Sequence, residues 1–369
     1  MIVVPSSTSP LQALPEVSPV AMEVVRVDLE MVAPFRTAHG VERFRRVLLV
    51  RALAEDGTEG WGECSALSAP TYSGEWIDGA EAVLRDFLLP AALAGRPSGI
   101  VGHPMAACAV EVATTRLRLA AAGLTLAQWL GAVRDRVPCG VSVGLAAGID
   151  ALIDEVAGHV AAGYQRVKLK VRPGADVEPV RAVRETWPDL ALGVDANGSY
   201  TREDLDGSLA RLDALGLVEI EQPFAPRDLL SAAEAVARLR TPICLDESIG
   251  SADDLATALQ LGACDHVNLK PARVGGIAAA KAVHDLALAN DVPLWIGGML
   301  ETGIGKEVVV AFAALAGATL PGDLPSSARW YANDVTTPWE MDADGTMAVR
   351  PAGPLLSGST PGSSRTGTT

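Results

Sequence analysis

The sequence contains no CxxC pair, and its five cysteines (Cys64, Cys108, Cys139, Cys244 and Cys264) are odd in number and widely spaced. A disulfide framework and a cysteine-rich zinc site are thereby set aside, and a reduced, cytoplasmic setting is the simplest expectation. The five histidines (His39, His103, His159, His266 and His284) show no ligand spacing; four read as structural or surface residues, and His39 is kept as a candidate substrate contact. No apolar run reaches the length of a membrane span, and the opening "MIVVPSSTSPLQALPEV" lacks a basic segment followed by an apolar stretch. Positive charge is also in deficit. With 30 Lys and Arg against 45 Asp and Glu, the net charge of -15 argues against nucleic acid and anionic membranes as partners. It does not exclude a small anionic substrate, because a local cluster of cations can still bind one.

Hydrophobic residues make up 49% and charged residues 20% of the 369 positions, which fits a globular α/β protein with a large and a smaller domain. Residues 1–21 and 353–369 are rich in Ser, Thr, Pro and Gly and are expected to be a disordered extension and tail. Between them, residues 22–135 read as an α+β capping domain. Strands lie in "MEVVRVDLEMV" and "RRVLLVRALAEDGTEGWGEC", with a hairpin turn at "EDGTEG", and helices follow over 76–95 and 104–131. After Pro138 the rhythm changes. "CGVSVGL", "RVKLKV", "LALGVDAN", "LVEIEQP", "ICLDES", "HVNLKP" and "PLWIGG" are seven short strands separated by helical stretches, which implies parallel pairing through crossovers.

Five of these strands end in a charged residue. Lys170, Asp195, Glu221, Asp246 and Lys270 lie 25, 26, 25 and 24 residues apart, so five βα units deliver charge to the same end of one sheet. A closed parallel barrel does this, with its active site at the C-terminal strand ends. An open doubly wound sheet would usually carry a glycine-rich phosphate loop after its first strand, and "SVGLAAGID" matches one poorly. "GIGKE" likewise lacks the preceding glycine of a phosphate loop and reads as a barrel loop opening a helix.

Three carboxylates at one barrel mouth repel one another unless a cation compensates them, which points to a hard divalent ion, Mg2+ with Mn2+ as the alternative. Lys170 and Lys270 flank the carboxylates from either side, and Lys168 shares a strand face with Lys170. The chemistry expected is proton abstraction alpha to a carboxylate.

"KLK", "VDAN", "IEQP", "LDES" and "NLKPARVGG", in that order and spacing, resemble the enolase superfamily over about residues 22 to 350. "PFRTAHG", "APTYSGEW" and "WIGGMLETGIGK" are similar to its muconate-lactonizing subgroup, in the family of o-succinylbenzoate synthase and N-succinylamino acid racemase. The resemblance implies a modified TIM barrel, (β/α)7β, over 136–325, with the last strand and a C-terminal return to the cap over 326–352. It implies Asp195, Glu221 and Asp246 as Mg2+ ligands and Lys170 and Lys270 as the acid/base pair. Lys168, Asn197 and Glu247 are implied as supporting groups. Ser142, Arg273, Gly298, Met299 and Glu301, with Phe35 and Tyr72 from the two cap loops, are implied to bind substrate.

The activity implied is dehydration of a succinyl-bearing hydroxycyclohexadiene carboxylate in menaquinone biosynthesis, with racemisation of N-succinylamino acids as the alternative. A Schiff-base aldolase and a non-catalytic barrel are the rivals from other classes. Glu219, in "EIEQP", departs from the expected apolar residue and is expected to pair with Lys168 below the metal. Monomer and homo-oligomer both stay open.

Overall fold

The computed structural model describes residues 2–3, 11–37 and 40–356, with the side chains of 35–37 and 40–42 outside the described part. Three antiparallel strands come first: β1 (Ala21–Thr37), β2 (Gly40–Leu53) and β3 (Glu59–Cys64), in that spatial order. Their alternation buries Val24, Leu48 and Val50 on the face that meets the helices. Gly57, with a positive φ of 86°, makes the turn between β2 and β3 at "EDGTEG". Helix Pro104–Ala122 lies across β3 so closely that a Cβ at Gly62 would stand 1.9 Å from the carbonyl of Ala109. That contact requires glycine. The helical stretch expected over 104–131 breaks at Gly123 (φ 64°), and a second helix, Leu126–Leu130, starts from a capping box between Thr125 and Gln128.

The parallel strands follow: β4 (Arg136–Val143), β5 (Arg166–Lys170), β6 (Leu192–Asp195), β7 (Ile220–Glu221), β8 (Ile243–Leu245), β9 (His266–Leu269), β10 (Leu294–Ile296) and β11 (Gly322–Asp323). Each of β4 to β9 pairs in parallel with the next, and β11 pairs in parallel with β4. Ala318 bridges Leu294, and the amides of Thr319 and Leu320 donate to the carbonyl of Leu294, so the chain entering β11 lies beside β10 and closes the ring. The eighth barrel strand is therefore Gly322–Asp323, not in 326–352 where it was expected. "TLPGDLP" carries no apolar alternation, and three residues between prolines leave no strand signature. The strand that does occur in the later span, β12 (Thr346–Ala348), pairs antiparallel with the start of β4.

Barrel residues alternate strictly. Val167 and Leu169 pack outward with Val141, Val143 and the helical layer, whereas Arg166, Lys168 and Lys170 share the inner face. Among the described residues ahead of β1 no regular element forms, yet these residues are held. Leu11 and Leu14 pack on the barrel core, Trp129 donates to the carbonyl of Gln12, and Asn290 exchanges two hydrogen bonds with Val3. Residues 357–369 of the expected tail lie outside the described residues.

Cap and barrel meet through buried polar groups. Glu63 of β3 accepts from the amides of Thr302 (3.1 Å) and Gly305 (2.9 Å) and from the hydroxyl of Thr302 (2.6 Å), at the start of helix Gly303–Ala313. Glu111 accepts from the amides of Ile277 and Ala278 in the same way. Arg45, fully buried, donates to the carbonyls of Ser65 and Ala66 in the cap and of Met299 and Leu300 after β10. The C-terminal segment returns to the cap, with Val335 and Ala352 packed against Val27, Val47 and Leu49.

Burial pushes the Glu63 carboxyl up to about 7, against the helix amides that favour its charge. A carboxyl whose folded pKa lies above its unfolded value binds more protons when folded, so its contribution to stability falls as pH rises from about 4.5 to about 7. Replacing Glu63→Gln removes that dependence. The stability difference between wild type and variant, from urea unfolding at fixed salt, is expected to shift against wild type by about 2–3 kcal/mol across this window. A difference flat in pH would contradict the assignment.

Candidate active site

The strand register sets the inner charges side by side. Lys168 pairs with Gly193, Lys170 with Asp195, and Asp195 with Glu221 across β5, β6 and β7. Lys170 Nζ donates to Asp195 Oδ2 (2.6 Å) and Asn197 Oδ1 (2.7 Å). Lys270 Nζ, from the end of β9, donates to Asp246 Oδ2 (2.7 Å) and to the Tyr72 hydroxyl (3.1 Å). Lys168 Nζ lies deeper, 2.5 Å from Glu221 Oε2 and 2.7 Å from Asp323 Oδ2. Asn197 also donates to Glu247 Oε1 (2.9 Å).

Below this layer sits a second one. Arg166 donates to Glu219 (2.6 Å) and Asp323 (2.9 Å) and stacks 4.0 Å over the ring of Trp295, whose Nε1 donates to Glu219 (3.1 Å). Gly140 and Gly193 on the flanking strands leave the space: a Cβ on Gly140 would meet Arg166 Nε at 3.1 Å, and one on Gly193 would meet Glu219 at 3.3 Å. Glu219 thus faces the barrel interior, but its salt bridge is to Arg166 rather than to Lys168. Glu219 shares the deepest layer with Arg166, whereas Lys168 lies level with Glu221.

Strand ends are turned by left-handed residues. Asn197 (φ 43°) and Gln222 (φ 37°) hold strained backbone. The Asn197 amide donates to Asp195 Oδ1, and Gln222 clamps the next strand end by accepting from the amides of Asp246 and Ser248.

Burial alone would push every carboxyl here up, and the cations decide which stay low. Against that burial, Lys170 and Lys168 hold Asp195 at about 2. Glu221 and Glu247 are raised, first by burial and then by the charge of Asp195. Burial pushes the Lys168 ammonium down, but Asp323, Glu221 and Asp195 outweigh it and hold it above its ordinary value. Lys270 is held up likewise, chiefly by Tyr72 and Glu247.

Among the described residues, no group of three His, Cys, Asp or Glu side chains stands disposed to hold a metal, because Asp195, Glu221 and Asp246 turn their oxygens to the chain's own cations. The donor set nonetheless fits a hard divalent ion. All three are carboxylates on successive strands, and beside them the buried Oε2 of Glu247 and Oδ1 of Asn268 have no partner.

Above the charges lies a cavity of about 140 Å3, whose walls include Lys168, Lys170, Asp195, Asn197 and Lys270. Ser142, Gly298, Met299, Glu301 and Tyr72 also line it. Glu221, Asp246, Glu247 and Arg273 are not among the residues that line it. Arg273 contacts Asp246 and donates to the Tyr72 hydroxyl (3.0 Å), the two groups that also hold Lys270. The Phe35 side chain and His39 lie outside the described residues.

The family described as Enolase C-terminal domain-like matches residues 151–357. The chain belongs to the enolase superfamily. Over 346 residues it is 49% identical to an N-succinylamino acid racemase of Amycolatopsis sp, covering 91% of this chain and 93% of that protein. It is 40% identical over 338 residues to an o-succinylbenzoate synthase of Geobacillus stearothermophilus, covering 89% and 90%. A solved enolase-superfamily structure from Listeria innocua superposes with a TM-score of 0.86 at 35% identity, covering 91% of this chain and 93% of that one. The modified barrel with its cap is thus the fold of this superfamily enzyme.

Sequence reasoning missed Asp323, Asn268, Arg166 and Trp295. Asp323 sits on a strand too short to register, although it continues the pattern of a charged residue at a strand end. Arg166 was visible, two residues before Lys168 on the same face. Removing Glu219 strands Arg166 as an unpaired charge in the interior. Glu219→Ala is expected to cost about 3–5 kcal/mol in urea unfolding at pH 7. A loss under about 1 kcal/mol would mean that Asp323 and Trp295 suffice to hold Arg166.

Proposed function

We propose that this enzyme is an o-succinylbenzoate synthase that dehydrates 2-succinyl-6-hydroxy-2,4-cyclohexadiene-1-carboxylate in menaquinone biosynthesis, in the cytoplasm. The observation that carries the reading is the convergence of Lys170 and Lys270 on one cavity from opposite sides of the carboxylates. Lys170 Nζ takes the proton alpha to the substrate carboxylate, leaving an enediolate. The C–OH bond then breaks, and Lys170 returns its proton to the departing hydroxide, so water leaves and the ring becomes aromatic. Lys270 stays charged and faces the enediolate. Lys168 and Asn197 hold Asp195 and Lys170 in register, and the cap, through Tyr72, closes the cavity over the substrate.

Asp195, Glu221 and Asp246 are the residues that would hold Mg2+ or Mn2+, in the places where lysine ammonium groups now meet them. When bound, the ion offsets the negative charge that builds on the substrate carboxylate as the proton leaves. Glu247 supports it from beside Asn197.

A second activity is favoured by a specific observation. Lys270 is held by Asp246 and Tyr72, and Arg273 reaches the same two groups, so a second cation stands behind Lys270. A base on each face of one alpha carbon is what racemisation of an N-succinylamino acid needs, and the Amycolatopsis relative bears that name. The two reactions share an intermediate type and a succinyl chain, so one cavity serves both.

Lys170→Ala and Lys270→Ala are each expected to lower kcat/KM for dehydration and for racemisation by about 10^2–10^4-fold. Normal turnover by either variant would refute the two-lysine mechanism. Activity is expected to vanish in excess EDTA and to return with added Mg2+; undiminished activity in EDTA would sink the metal requirement.

A further inference from the structure

Asn268 stands on the inner face of β9, two residues before Lys270, and is wholly buried. Its Nδ2 lies 2.7 Å from Glu221 Oε1, while the other oxygen of Glu221 meets the Lys168 ammonium. A carboxylate only accepts, so this bond fixes which end of the amide is nitrogen and which is oxygen. Oδ1 points the other way, and among the described residues it has no hydrogen-bond partner. An amide oxygen left alone in the interior costs free energy that a donor placed on it would return.

Oδ1 is aimed at Gly297, the residue after β10. A Cβ at Gly297 would stand 2.2 Å from Asn268 Oδ1 and 2.9 Å from Lys270 Cε, so both atoms border the same gap. Gly297 is not one of the glycines with a positive φ. Space, and not backbone conformation, is what calls for glycine there.

The two lysines on either side of the carboxylates are held differently. Lys170 has one carboxylate, Asp195, and one amide oxygen, Asn197 Oδ1 at 2.7 Å. Lys270 has one carboxylate, Asp246, and the hydroxyl of Tyr72 from the cap, which together occupy two of its three N–H donors. When Asp195 and Asp246 turn to the divalent ion, Lys170 keeps an amide oxygen from its own barrel wall. Lys270 keeps only a phenol from a loop, unless Asn268 supplies the matching oxygen.

We propose that Asn268 Oδ1 receives the Lys270 ammonium once Asp246 binds the ion, and thereby fixes the direction from which Lys270 faces the substrate. Asn268 is a positioning residue, doing for Lys270 what Asn197 does for Lys170. The assignment rests on the two-lysine chemistry and the metal set proposed above.

A crystal structure of the full chain grown in saturating MgCl2 tests it without reference to turnover. Lys270 Nζ is expected at about 3 Å from Asn268 Oδ1. With the ion bound, a Lys270 ammonium elsewhere and Oδ1 still unpaired overturns the proposal; a site that takes no ion removes the metal set and the proposal with it. The second measurement is α-proton exchange in D2O, with MgCl2, of N-succinyl-L-phenylalanine and of its D enantiomer. The enantiomer each lysine serves is identified by the exchange lost in Lys170→Ala and in Lys270→Ala. Asn268→Leu is expected to slow exchange of the enantiomer served by Lys270 roughly 10- to 100-fold more than that of the other. Equal losses on both enantiomers mark a merely structural role and overturn the proposal. If the Leu variant does not fold by thermal melt, Asn268→Thr, which also lacks the amide oxygen, carries the same comparison. The contact at Oδ1 without exchange of either enantiomer removes the racemase reading and leaves the positioning of Lys270.

Discussion

The barrel depends on charge compensation inside itself. Most of its interior in the lower two layers is ionic: Arg166 meets Glu219 and Asp323, and Lys168 meets Glu221 and Asp323. Each of these groups alone would oppose folding, since the desolvation of a single buried charge outweighs what one neighbour returns. Together they are mutually enforcing. The glycines at 140 and 193, the indole of Trp295 and the short strand carrying Asp323 make sense only as room and partners for them. The upper layer, where Lys170 and Lys270 meet Asp195 and Asp246, inherits its geometry from the rigid layers beneath it.

That arrangement explains how one face of β5 serves two ends. Lys168 is locked by two carboxylates and the Trp295 ring, 4.4 Å away, and stays with the scaffold. Lys170, one step up the strand, touches Asp195 and Asn197 at the cavity wall. A single two-residue step along a strand separates a charge fixed in the scaffold from one at the cavity wall that moves the proton in the proposed chemistry.

Much of this was legible in the chain. The spacing from Lys170 to Lys270 announced a parallel barrel with charged strand ends, because the side-chain period of a strand and the length of a βα unit together fix where such residues fall. The hairpin at "EDGTEG" and the inward aim of Glu219 were legible for the same local reasons. What sequence could not yield were relations between distant segments. β11 is a two-residue strand between Pro321 and Pro325, defined by its pairing with β4 and by the hydrogen bonds of the preceding Thr319 and Leu320 to the carbonyl of Leu294. The partner of Glu219 was misjudged because alternation tells which face a side chain takes and not which of two neighbouring cations lies level with it. Glu63 and Glu111 looked like ordinary strand and helix charges; only the fold brings helix amides to them.

Arg45 carries a further consequence. One guanidinium bonds the carbonyls that lead into the cap loop bearing Tyr72 and those that follow β10 on the way to Glu301 and Lys306. The two loops are therefore mechanically a single part. A lengthened or shortened loop on either side would withdraw acceptors from the same cation, so the two sides of the cavity inherit change jointly across the domain seam.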